Sequence, residues 1–196
     1  MTAGGKIRII GGRWRGTRLA VADLPGLRPT SDRVRETVFN WMQPVLPDAR
    51  VLDLFAGSGA LGLEAVSRGA REAVLVERDP GLAEALRAQV ERLEATSRVQ
   101  VILADAPNWL QAPLFGQFDI VFVDPPFESR LWPRVFAALA PWVATDAWMY
   151  VEVPNLEAPN VQAPIADEFG PSAGWLRHRE GSTRDVRYAI YRRTQA

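Results

Sequence analysis

From Arg50 to Val153 the sequence alternates short apolar runs with segments of helical period, and that alternation constrains the fold more than any other feature. Strands are expected at 50–54 (RVLDL), 73–77 (AVLVE), 99–103 (VQVIL), 118–123 (FDIVFV) and 147–153 (AWMYVEV), with helices near 59–68, 80–95 and 131–140. Strands this continuously apolar need cover on both faces, and strand–helix alternation implies parallel crossovers. The expected class is therefore α/β with a mostly parallel sheet. The tail from Trp175 to Arg192 predicts a closing antiparallel hairpin with Gly181-Ser182 at its turn. Residues 154–172 are rich in proline and read as an irregular connection.

The strand tips carry the chemistry. The first four strands each end on or just before an acid: Asp53, Glu77, Asp105 and Asp124. A single such acid is more often a helix cap or a solvated strand end, but ligands of open α/β sheets bind at this edge. The first tip runs into Asp53-Leu54-Phe55-Ala56-Gly57-Ser58-Gly59-Ala60-Leu61-Gly62, which contains a G-x-G-x-x-G. Several nucleotide-like ligands use such a loop. A dinucleotide would lay its pyrophosphate on the helix N-terminus, where Asp53 repels it. S-adenosylmethionine has no phosphate and carries an ammonium and a sulfonium, which a carboxylate in a water-excluded site attracts. The cofactor candidates are Asp53, Phe55, Ala56, Gly57, Ser58 and Gly59, with Glu77 for the ribose hydroxyls. Asp105 and the Ala106 N–H are the candidates for the adenine edge.

The fourth tip is Asp124-Pro125-Pro126-Phe127. Neither proline offers an N–H to extend a ladder, and each pushes the residue before it out of the helical region. The loop is therefore stiff, with an acceptor at its start and an aromatic face at its end. A bare Pro-Pro pair is usually only a strand stop. Downstream of a glycine-rich loop, the same four residues suit an enzyme that methylates an exocyclic amine of a base. Asp124 and the Pro125 carbonyl would accept its N–H groups while Phe127 stacks on the ring, so Asp124, Pro125, Pro126 and Phe127 are the catalytic candidates.

Composition narrows the remaining classes. The 196 residues include no cysteine and one histidine, His178, which excludes thiolate sites and argues against any metal. No apolar run approaches membrane-spanning length, so a soluble cytoplasmic protein is expected. No long exposed apolar face demands a partner, so it is expected as a monomer. The zero net charge conceals segregation: residues 1–41 hold eight basic side chains against three acids, and residues 175–196 hold six arginines against two acids. Residues 1–43 are expected to form a basic extension to a catalytic domain at 44–196. In it, strands at 6–10 and 17–21 flank Gly11-Gly12-Arg13-Trp14-Arg15-Gly16, and a helix at 32–43 is capped by Ser31 or Thr30. Arg13 and Arg15 around Trp14 read as an RNA finger, with guanidinium groups on phosphates and the indole as a stacking surface. An exposed hairpin whose Trp packs on its own strand is an equal alternative. Arg18, Arg28, Arg33 and Arg35 extend the basic surface.

Four blocks of this sequence resemble the bacterial 16S ribosomal RNA guanine-N2 methyltransferases of the RsmD type: Ile7–Gly12 with Arg15-Gly16, Arg28–Asn40, Asp53–Gly62 and Val121–Phe127. The Arg28–Asn40 block is the most specific of them. The resemblance implies a class I, Rossmann-like S-adenosylmethionine-dependent methyltransferase fold with a small N-terminal β-hairpin. It also implies S-adenosylmethionine as donor and, as acceptor, one guanine of 16S rRNA or of the assembled small ribosomal subunit, position 966 by that resemblance. Three other readings stay open: an N6-adenine methyltransferase on RNA or DNA, an NAD-dependent oxidoreductase, and an inactive RNA-binding assembly factor.

Overall fold

A computed structural model describes residues 7–19, 31–155, 171 and 174–194. Strands β1 (Ile7–Arg8) and β2 (Arg18–Leu19) pair antiparallel as a small separate ribbon. Helix α1 (Asp32–Met42) follows. Ser31 caps it, its hydroxyl accepting the Val34 N–H at 3.3 Å; the alternative cap, Thr30, lies outside the described residues. The sheet then begins with β3 (Arg50–Asp53), α2 (Ala60–Ser67), β4 (Glu72–Glu77), α3 (Pro80–Arg92) and β5 (Val99–Leu103). It continues through a one-turn helix α4 (Ala106–Trp109), β6 (Phe118–Val123), α5 (Trp132–Leu139), β7 (Val143–Pro154), β8 (Trp175–Ser182) and β9 (Val186–Arg193).

Seven strands lie in the order β5-β4-β3-β6-β7-β9-β8. Strands β3 to β7 run parallel to one another, and β9 runs antiparallel to both β7 and β8. This is the mostly parallel α/β sheet with an antiparallel last strand that the class I methyltransferase reading calls for. The order reverses at β3, which has β4 on one side and β6 on the other. The chain leaves the tips of β3 and β6 in opposite directions, and such a switch point is where sheets of this kind take ligands.

Each face has its own core. One gathers Val34, Val38, Phe39 and Met42 of α1 with α2, α3 and the ribbon residues Ile7, Ile9 and Leu19. The other gathers α4 and α5 around Trp132, Leu139 and Trp142. Trp142 is fully buried and satisfies its one polar atom by donating the indole N–H to the Leu110 carbonyl at 2.9 Å.

The closing hairpin turns later than expected. Gly181 lies within β8, where an added side chain would strike the Tyr188 ring, and the reversal falls at Thr183–Asp185. There Thr183 bonds Val186 through its backbone N–H (2.8 Å to the Val186 carbonyl) and accepts the Val186 N–H on its hydroxyl at 3.1 Å. Most of the proline-rich 154–172 segment and the 24–30 linker lie outside the described residues. Among the described residues no helix is long and apolar enough to cross a membrane.

Candidate active site and nucleic-acid surface

The topology brings all four acids to one edge. Asp53 is the last residue of β3 and Glu77 the last of β4, while Asp105 follows β5 by two positions and Asp124 follows β6 by one. Asp53 pairs in register with Phe122 of β6, so the glycine-rich loop and the Asp124 loop leave the sheet side by side.

The acids differ in what they do. Asp53 is 1% exposed, and its carboxylate accepts the Gly62 N–H at 3.0 Å across the loop, which turns through left-handed backbone at Gly57 and Gly59. Burial pushes its pKa up from 3.8 to about 7, further raised by Glu77 and partly opposed by hydrogen bonds from the Gly62 and Phe55 amides. Glu77 accepts the Gly57 N–H at 2.9 Å and the Asp79 N–H at 2.8 Å, one on each oxygen. Each carboxylate oxygen has a second acceptor site, so these bonds leave capacity for ribose hydroxyls. Asp79 and Asp105 occupy equivalent places before α3 and α4. Asp79 caps its helix through Leu82 N–H at 2.9 Å, whereas the Asp105 side chain caps nothing. Ala106 opens α4, where backbone N–H groups have no partner within the helix.

These residues fit a cationic, phosphate-free nucleoside ligand. Asp53 is a buried acid with no cation among its described influences, and a positive ligand charge would favour its ionised form. Phe55 and Ser58 are half-buried, while the Ala56 N–H is taken by the Val76 carbonyl at 3.0 Å. Among the described residues no group of three or more acids and histidines gathers to hold a metal.

In the acceptor loop Pro125 is buried and Asp124 and Phe127 are half-buried. Pro126 leads into a single 3-10 turn, Phe127–Ser129, closed by the Ser129 N–H on the Pro126 carbonyl at 2.9 Å. The Phe127 ring lies 6.2 Å from that of Trp132, tilted by 31°.

The N-terminal basic residues separate into two groups. Arg13, Arg15, Arg18 and Arg33 are exposed; Arg28 lies outside the described residues. Trp14 and Arg35 require correction. Trp14 is 8% exposed and belongs to the core, so its indole offers no stacking face. Arg35 is 0% exposed, donating to the Arg8 carbonyl at 2.8 Å and to Asp32 at 2.5 Å, with Glu64 3.7 Å away. It is a structural ion-pair residue, out of reach of RNA.

Sequence reasoning passed over the partner of this segment, helix α2. Glu64 is fully buried and accepts the Ile10 and Gly11 N–H groups, each at 2.7 Å. Ser67 accepts the Trp14 N–H on its hydroxyl at 2.9 Å and the Arg13 N–H on its carbonyl at 2.8 Å, and its own hydroxyl donates to the Gly11 carbonyl at 2.6 Å. The Gly-Gly pair exists for this docking: a methyl group on Gly12 would stand 1.8 Å from the Ser67 carbonyl oxygen. A buried Glu on a helix that is otherwise apolar was the available signal.

Comparison with known proteins gives a consistent result. The family model described as "Conserved hypothetical protein 95" matches residues 7–168. The ribosomal RNA small subunit methyltransferase D of Escherichia coli K12 is 45% identical over 96% of this chain and 91% of its own length. That of Haemophilus influenzae is 37% identical over 96% and 95%. A solved Escherichia coli structure superposes with a TM-score of 0.82 at 42% identity, covering 98% of this chain and 100% of that one.

Proposed function

The chain belongs to the family of the ribosomal RNA small subunit methyltransferases D, and from that premise we propose that it methylates the exocyclic N2 of a guanine in 16S rRNA, acting as a cytoplasmic monomer on that RNA or on the assembled small subunit. The observation that carries this reading is the adjacency of two tips: the glycine-rich loop after β3 and Asp124-Pro125-Pro126-Phe127 after β6 leave the same edge of the sheet from paired strands. When bound, S-adenosylmethionine supplies a methyl group on a positively charged sulfur, which keeps the electron pair of the broken S–C bond. Asp53, the Gly57–Gly59 backbone, Glu77, Asp105 and Ala106 would hold it.

Guanine N2 is a poor nucleophile because its lone pair is delocalised into the ring. The Asp124 carboxylate and the Pro125 carbonyl accept its two N–H groups and favour a pyramidal nitrogen. As the new N–C bond forms, the surplus proton passes to Asp124. The two prolines restrict the loop's backbone, so the acceptors are placed before the reaction rather than during it. Phe127 stacks on the base once it has left its helix or loop. The exposed Arg13, Arg15, Arg18 and Arg33, together with Arg28, supply phosphate contacts.

Unmodified small subunits incubated with methyl-labelled cofactor, then digested to nucleosides, test the reading. N2-methylguanine is expected; N6-methyladenine would move the protein to the adenine enzymes, and absence of label would reject the activity. Asp124→Ala should keep cofactor affinity and lose at least about a hundredfold in transfer rate. Unchanged turnover in that variant would remove Asp124 from the chemistry.

A further inference from the structure

Strand β7 places a buried acid beside the acceptor loop. Val123 of β6 pairs in parallel register with Val151 of β7, so the next residues along the two strands are Asp124 and Glu152. Glu152 is 3% exposed. A carboxylate in such a place is costly without partners, and apolar residues could fill the same volume.

Glu152 is partnered on two sides. Tyr150, two residues earlier on the same strand and fully buried, donates its hydroxyl to Glu152 Oε2 at 2.5 Å. Burial, then the neighbouring charges of Glu152 and Asp124, hold the phenol well above its usual pKa, so it remains a donor throughout the working range. On the other side the Glu152 backbone carbonyl accepts the indole N–H of Trp132 at 3.0 Å. Trp132 opens α5, is fully buried, and is the ring against which Phe127 rests. Between the 3-10 turn that Phe127 opens and Trp132 the chain has only Leu131 and Arg130, which sits in the left-handed region at φ 45°. The loop's far end is thus tied through Trp132 to the residue whose side chain lies beside its near end.

We propose that Glu152 is a positioning residue for the acceptor loop: its carbonyl anchors Trp132 and through it Phe127, and its carboxylate, held by Tyr150, adds negative charge next to Asp124. The inference rests on the acceptor-loop reading above. The added charge strengthens the attraction for the N–H groups of the base amine, where partial positive charge grows as the methyl group arrives.

Two variants of the full-length protein separate these arms. Trp132→Phe keeps a ring against Phe127 and removes the indole N–H. Glu152→Gln keeps the volume and an acceptor for Tyr150 and removes the charge. Backbone hydrogen exchange in the 124–132 segment should quicken at least about fivefold in Trp132→Phe, with β3 to β5 unchanged. Single-turnover methyl transfer should fall at least about tenfold in Glu152→Gln, with cofactor affinity unchanged. Should Trp132→Phe fail to fold, replacing Trp132 with its benzothiophene analogue, which keeps the bicyclic ring and lacks the N–H, gives the same exchange test with the same expected quickening. Loop exchange and transfer rates equal to wild type would overturn the proposal and leave Glu152 as packing. A wild-type protein that methylates nothing would instead count against the proposed function, and the exchange measurement would still decide whether the tie to Trp132 exists.

Discussion

Asp53 is the residue at which burial and ligand charge oppose each other. Its pKa is raised from 3.8 to about 7, so the folded protein holds this proton more tightly than the unfolded chain does. The stabilisation from that proton is complete below pH 3.8, is lost as pH rises towards about 7, and is absent above it. The amount at stake is on the order of 4 kcal/mol. Asp53→Asn, which imitates the neutral acid, should therefore gain stability relative to wild type between pH 4 and pH 8, read by urea denaturation at each pH. Cofactor binding should show the converse. Because a cationic ligand favours ionised Asp53, affinity should strengthen with pH up to about 7, by at most about tenfold per unit. The Asn variant should bind weakly with a flat profile. A wild-type affinity independent of pH from 5.5 to 7.5 would remove Asp53 from contact with the ligand's charge. The acid itself was legible in the sequence as a strand tip. Its protonation was not, because that depends on how completely α2 and the glycine-rich loop exclude water.

At the scale of elements, α2 joins the cofactor loop to the N-terminal segment. Its first residue follows Gly59 of the loop, and its last residue, Ser67, holds the backbone of Arg13 and Trp14. Gly12 and Gly16 both have positive φ, at 73° and 84°, but only Gly12 faces a backbone atom where a side chain would go. Gly16→Ala should cost about 1 kcal/mol from φ strain alone, and Gly12→Ala at least about 2 kcal/mol because Ser67 must also move. Equal denaturation midpoints for the two variants would show that the segment does not dock on α2 in solution. Most elements were legible because apolar periodicity is local: β3 to β6 and helices α1, α2, α3 and α5 lie within a few residues of their expected bounds. Helix α4 was missed because four residues are too few to show a period. The turn of the closing hairpin was misplaced because Gly181 serves the packing of Tyr188, a need set by the facing strand.

Across the whole molecule, charge is segregated: acids line the carboxyl edge of the sheet, and exposed arginines stand on the N-terminal segment. If those arginines hold RNA phosphates, affinity for a 16S rRNA fragment should fall steeply with salt as counterions are released. Arg13→Glu and Arg15→Glu should each weaken binding several-fold and flatten the salt slope, leaving cofactor affinity intact. Filter binding at 50 and 200 mM salt measures both, and equal affinities at the two concentrations would contradict the assignment. The sequence alone determined the sheet, its acidic tips and the stiff Asp-Pro-Pro-Phe loop, because alternation, strand ends and proline geometry are all properties of neighbouring residues. Only the tertiary structure decided that Trp14 and Arg35 lie in the interior and that Glu152 stands beside Asp124. Burial and cross-strand register depend on which distant segments meet, and spacing along the chain carries no record of that.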